Sequence, residues 1–194
     1  MPAQILSALP TSAVLPDAAP LGLKLAQLEL SRFVRYQAEQ TQRRLGFGWI
    51  ARQNAPSTYQ QLRDAYRQSA ATGEPLPVSS LFCDDTVYAR PEDNHAFRFW
   101  HDTHHVELGL SFGLEDEAEL AVWHLRQAEA VGIAPGSLVY RLLEADTLGS
   151  LLVLALSQRF PHHQRRFVTD AARWGLAAGL VNELRQLPTL PPTE

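Results

Sequence analysis

The sequence has a single cysteine, Cys83, among 194 residues. No intrachain disulfide can form and no Cys-x-x-Cys zinc site exists; one thiol suits a reducing cytoplasm. Long apolar runs are missing too. The longest, Leu151 to Leu156, falls far short of the roughly 20 residues that a membrane span needs. The start, Met1-Pro2-Ala3-Gln4, lacks the basic segment and apolar core of a signal peptide. Lysine is reduced to Lys24, and every other basic residue is arginine. With the wealth of Ala and Pro, this points to a GC-rich bacterial genome. No stretch sustains period-two alternation and no Asn-Gly or Asp-Gly turn occurs, so strands and hairpins are not expected. A strong charge imbalance is also absent. The 21 acidic and 17 basic residues leave a net charge of -4, which argues against a surface that coats nucleic acid regardless of sequence.

What is present suffices for a folded core. Apolar residues make up 45% of the chain and charged residues 20%, which excludes a disordered polymer, and the length suits one domain. Four prolines in residues 1–20 predict an extended N-terminal arm, and the prolines beyond Leu187 a short C-terminal tail over 188–194. The domain between them, 21–187, reads as helical throughout. Apolar spacing and stop signals predict helices over about Leu21–Leu45, from an N-cap at Ser57 to Gly73, over Pro91–Gly109, Asp116–Val131, Pro135–Ser157 and Pro161–Leu187. Residues 74–90 read as irregular. Ala171, Gly175 and Gly179 set small residues at four-residue spacing, where another helix can approach closely. Trp49, Trp100, Trp123 and Trp174 are expected in the core. Short connections then predict an all-α, antiparallel bundle of about six helices.

Histidine placement is the strongest chemical signal. Five of the seven histidines fall between His95 and His124. At about 100° per residue, the third helix sets Phe97, Trp100, His104 and Leu108 on an apolar stripe. Asn94, Arg98, His101 and His105 form a polar stripe beside it. His101 and His105 stand at i,i+4, the spacing that brings two imidazoles to one metal. On the fourth helix Glu117 and His124 share the apolar face with Leu120, Ala121 and Ala128. An unpaired carboxylate buried there costs several kcal/mol in order of magnitude, so Glu117 needs a partner. A metal held by His101, His105, Glu117 and His124 meets that need. On the fifth helix Glu144 shares an apolar face with Tyr140, Leu148 and Leu151. It reads as a further ligand, a general base, or the partner of a buried arginine such as Arg98. Asp102 lies off the stripe and reads as the orienter of a ligand or the partner of an arginine.

The string Asn94-x-x-Phe97-Arg98-x-x-His101-Asp102, followed by Phe112-Gly113, Glu117 and His124, resembles a family of uncharacterised proteins of bacteriophages and other bacterial mobile elements. Asp116 stands where that family has Gly, and His105 lies one residue nearer His101 than the family's second His. The resemblance covers about 50 residues by the span of the motif. It implies a shared site and no named reaction. Three better-defined patterns fit less well. His101-Asp102-x-x-His105 resembles the zincin motif with Asp for Glu, and the shorter acid reaches less far. HD phosphohydrolases need a histidine on a preceding helix, and none lies upstream of His95. A ferritin-like di-iron site needs more inward carboxylates than Glu117 and Glu144.

The expected function is therefore that of a metal-dependent hydrolase, using Zn, Mn or Fe on a phosphate-containing or amide substrate. That substrate is a small molecule, a nucleotide or a nucleic acid. Glu144 and Asp102 are the candidate catalytic carboxylates, and Arg98 and Asn94 the candidate substrate contacts. The alternative is a binding or adaptor protein in which the His/Glu cluster is a structural polar core. Arg159, His162, His163, Arg165 and Arg166 add a basic cluster at the start of the sixth helix, read as a solvated helix start or an anion contact.

Overall fold

The computed structural model describes residues 18–186, with side chains from Leu21 onward. The arm expected over 1–20 lies outside the described residues except at Ala18–Pro20, which already belong to a helix, and the tail over 188–194 lies outside them altogether.

Helix α1 (Ala18–Leu45) buries Ala26, Leu30, Phe33, Val34 and Ala38, the recurrence that gives a helix one apolar face. Gly46 takes the left-handed conformation that ends it. The face of α1 lies along α3 (Pro91–Leu108) and α5 (Leu138–Glu144). Helix α3 starts as the sequence predicts, with Pro at the first turn and Glu92 and Asp93 beside it, and Gly109 closes it. Asp93 is buried and pairs with Arg35 at 3.0 Å and with Arg90 at 3.2 Å. Phe99 and Trp100 are fully buried. Phe99 stacks on Trp49 at 4.9 Å, and Trp100 meets Phe33 edge-on at 5.4 Å. Truncating an aromatic of this kind costs roughly 3–5 kcal/mol. These two side chains therefore fix the rotation of α3, and with it the direction in which its histidines project.

The bundle is largely the helical one expected, with three differences. The first is a pair of parallel strands, β1 (Trp49–Arg52) and β2 (Leu76–Ser79), joined through α2 (Tyr59–Thr72), with Trp49 opposite Leu76. Four residues each is too short for alternation to register, and β2 falls inside the stretch that reads as irregular. Thr58, rather than Ser57, caps α2, accepting from the Gln61 N–H.

The second difference lies in the fifth helix. Ser137 caps α5, and the chain runs on into α6 (Ser150–Ser157), but a wide π turn at Ala145–Gly149 interrupts the α-helical ladder. The third lies in the sixth. It breaks at Gly175 (φ +96°) into α7 (Gln164–Trp174) and α8 (Leu176–Leu184), which fold against each other. The small residues at four-residue spacing serve that hairpin. At the break Trp174, expected in the core, is the last residue of α7 and stands 66% exposed.

Candidate metal centre

Helices α3 and α4 (Leu114–Ala130) are joined by a short turn that Asp116 locks. Its Oδ2 accepts from the Ser111 backbone N–H at 2.8 Å and from the Ser111 hydroxyl. Asp116 thus fixes the turn into α4. With the turn set and α3 pinned by Trp100, the polar stripe of α3 faces the first turns of α4.

There the structure brings His101, His105 and Glu117 together. One ligand atom from each lies within 4.8 Å of the other two. Glu117 reaches His101 Nε2 and His105 Nε2 at 3.4 Å each, one carboxylate oxygen to each ring. The two Nε2 atoms are 2.9 Å apart. Behind them, His105 Nδ1–H donates to the Leu110 carbonyl at 3.1 Å. A carbonyl can only accept, so the proton sits on Nδ1 and Nε2 of a neutral ring offers its lone pair forward, as a metal ligand must. Burial works to raise the Glu117 carboxyl, but the hydrogen bonds and charges of His101 and His105 outweigh it and hold it at about 2.

His124, expected as a fourth ligand, does not join this group. Its Nε2 lies 3.1 Å from His101 Nδ1, on the far side of the His101 ring. It is fully buried and its ring sits 4.1 Å from Trp100. Burial, and then the neighbouring imidazoles, hold its pKa well below the ordinary histidine value, so it stays neutral. In this position it orients His101. The helical face is the predicted one; the depth along it is not.

A cavity of about 500 Å³ opens in front of the cluster, and His101 and Glu117 form part of its wall. Asn94 and Arg98 also line it. Arg98 is engaged in structure: its terminal nitrogens donate to the Ser79 and Leu81 carbonyls at 2.7 and 2.8 Å, which ties down the chain after β2. Asn94 donates to Cys83 Sγ at 3.3 Å. Arg98 therefore does not pair with Glu144. Neither Glu144 nor Asp102 is among the lining residues. Asp102 is half-buried, with its carboxyl raised above the usual range by that burial.

Sequence reasoning missed Asp146. It lies in the π turn, is buried, and lines the cavity where Glu144 was expected. Its oxygens accept from the Tyr88 hydroxyl at 2.8 Å and from Gln164 Nε2 at 2.9 Å. The mouth carries Phe82, Phe112, Leu114 and Phe160, all partly or largely exposed. Phe82 is 87% exposed with φ +56°, a conformation a bulky side chain avoids, at a cost of order 1–3 kcal/mol. The basic cluster around the start of α7 is engaged as well. Arg159 pairs with Glu183, and Arg165 donates to the Thr86 and Asp84 carbonyls.

No protein-family model, curated protein or solved structure matches this chain. The functional reading therefore stands on the geometry and on the motif. Among the described residues no helix is long and apolar enough to cross a membrane.

Proposed function

We propose that His101, His105 and Glu117 hold one divalent metal, Zn, Mn or Fe, and that the centre hydrolyses a small molecule bound in the adjoining cavity. The observation that carries this reading is the convergence of two imidazoles and one carboxylate with an open side toward a cavity. Two histidines, one carboxylate and a free position make a catalytic rather than a structural donor set. A metal bound there supplies Lewis acidity and makes water a competent nucleophile near neutral pH. The protein's own part is distinct. Glu117 balances the charge, Leu110 and His124 hold the two rings, and the walls limit access of bulk water. Of the mobile-element motif, Asn94, Phe97, Arg98, His101, Phe112 and Glu117 line the cavity, and Asp102, Gly113 and His124 do not; the six that do support a shared site of that type. The lone unpaired cysteine fits a cytoplasmic setting.

An amide or related carbonyl group suits the cavity better than a phosphate. The cavity presents the carboxylates of Glu117 and Asp146, while its arginine is already bound to two carbonyls. Away from the metal, a phosphate's remaining oxygens would face the Asp146 carboxylate, with no uncommitted cation among the lining side chains. The apolar rim and the net charge of -4 likewise disfavour nucleic acid.

A second reading rests on one observation: every ring nitrogen of His101 and His105 can find a partner without a metal, although His124 Nδ1 stays buried without one. His124 Nε2–H can donate to His101 Nδ1, His101 Nε2–H to His105 Nε2, and His105 Nδ1–H to Leu110. The cluster would then be a structural polar core. Metal analysis of protein produced with Zn, Mn and Fe separates the two. The metal reading expects about one equivalent, lost in a folded His101→Ala/His105→Ala variant together with hydrolysis of model amides. Metal-free protein whose double variant keeps its activity would refute it.

A further inference from the structure

We infer that Asp146 is the anchor for a protonated amine, so that the ligand of this cavity is a small amine with an apolar body. The inference deepens the hydrolase reading, on which it rests only for calling that ligand a substrate. Asp146 is 7% exposed and makes no ion pair among the described residues. Arg98 acts on it only through space, and a buried carboxylate with no direct ion pair is costly, so proteins rarely keep one without a use. Tyr88 and Gln164 each occupy one of its oxygens and leave a lone pair on each free. Arg98, in the same wall, is committed to backbone carbonyls.

Two further observations point to a missing donor. Thr86 lines the cavity, and its buried Oγ1 has no hydrogen-bond partner. Gln164 also lines it and, with its amide nitrogen turned to Asp146, has its carbonyl oxygen left to accept. All three acceptor groups line the one cavity, and their number matches the three N–H bonds of an ammonium. The backbone at Asp146 departs from the α-helix, and such π turns recur at functional sites. The rest of the lining selects the body of the ligand. Phe97, Leu151, Leu154 and Phe160 offer apolar contact, in a volume that takes a small molecule and no polymer.

Calorimetric titration of the full chain with three probes of one shape tests this: 3-phenylpropylammonium, 3-phenylpropanol and 3-phenylpropionate, at neutral pH. The ammonium should bind about tenfold or more tightly than the alcohol, and the carboxylate most weakly. Asp146→Asn should remove that preference by weakening the ammonium far more than the alcohol. Equal affinity for ammonium and alcohol, or an Asp146→Asn protein of native helicity that keeps the preference, overturns the proposal. Should Asp146→Asn fail to fold, Thr86→Val replaces it: a larger loss of affinity for the ammonium than for the alcohol supports the proposal, and an equal loss or none overturns it. The His101→Ala/His105→Ala variant should keep the preference. Loss of metal with ammonium binding retained refutes the metal reading alone; metal retained without an ammonium preference refutes this one alone.

Discussion

His101, His105 and His124 differ in what surrounds each ring. His105 has one nitrogen fixed by a carbonyl and the other facing Glu117, while His124 faces only the back of His101. A ring that orients a ligand changes affinity without being a donor, typically by 10–100-fold. His124→Phe should therefore still bind about one equivalent at saturating metal, with Kd raised by about that factor, as competition with a chelating dye would measure. Complete loss of binding would return His124 to the ligand set. Asp146 makes a second case. Burial raises its carboxyl above the usual range, and the hydrogen bonds from Tyr88 and Gln164 only partly offset this. The ionised form is then easier to reach in the unfolded chain, so at neutral pH its charge opposes folding. The penalty is absent below the ordinary carboxylate value of about 3.9 and grows as pH rises through the raised one. Asp146→Asn should melt roughly 2–4 °C higher than the parent at pH 7, with the gap closing on acidification. Thermal melts at pH 7 and pH 4 check both parts; an unchanged or lower melting temperature at pH 7 would contradict the charge argument.

At the scale of elements, two departures from regular helix position the chemistry. The π turn adds a residue to one turn and rotates everything beyond it relative to Glu144 by about the angle of one residue, roughly 100°. Glu144 and Leu151, aligned on a straight helix, cease to share a face, and Asp146 takes the place at the cavity. The hairpin of α7 and α8 closes over the same region. A Cβ at Gly179 would sit 2.6 Å from Ala171 Cβ and 2.8 Å from Ala171 Cα. Main chain cannot yield to it as a flexible side chain would. Gly179→Ala should cost about 1–3 kcal/mol in urea unfolding, while Gly175, at φ +96° with open space around it, is needed for conformation and not for room.

For the whole molecule, a metal bound only by the native state adds stability by mass action. At free metal about 100 times Kd the gain is near 2.7 kcal/mol. Zinc addition should raise the melting temperature of the chain and EDTA should lower it to that of the apo form. The His101→Ala/His105→Ala variant should respond to neither. A melting temperature that ignores both reagents in the parent would favour the structural polar core.

The helical character, the stops at Gly46, Gly73 and Gly109, and the pairing of His101 and His105 with Glu117 were legible in the chain because each depends on spacing within one helix or across one short turn. Spacing is local physics: about 100° per residue fixes which side chains share a face. The sequence could not place the four-residue strands, the break at Gly175 or the π turn, because each is decided by what packs against it. Nor could it separate ligand from orienter, since His124 and Glu117 share a face and differ only in depth along it. The cavity and the role of Asp146 belong to the tertiary structure alone. They arise where α3, α4, the π turn and the segment around Thr86 meet, residues remote in sequence that only packing brings together.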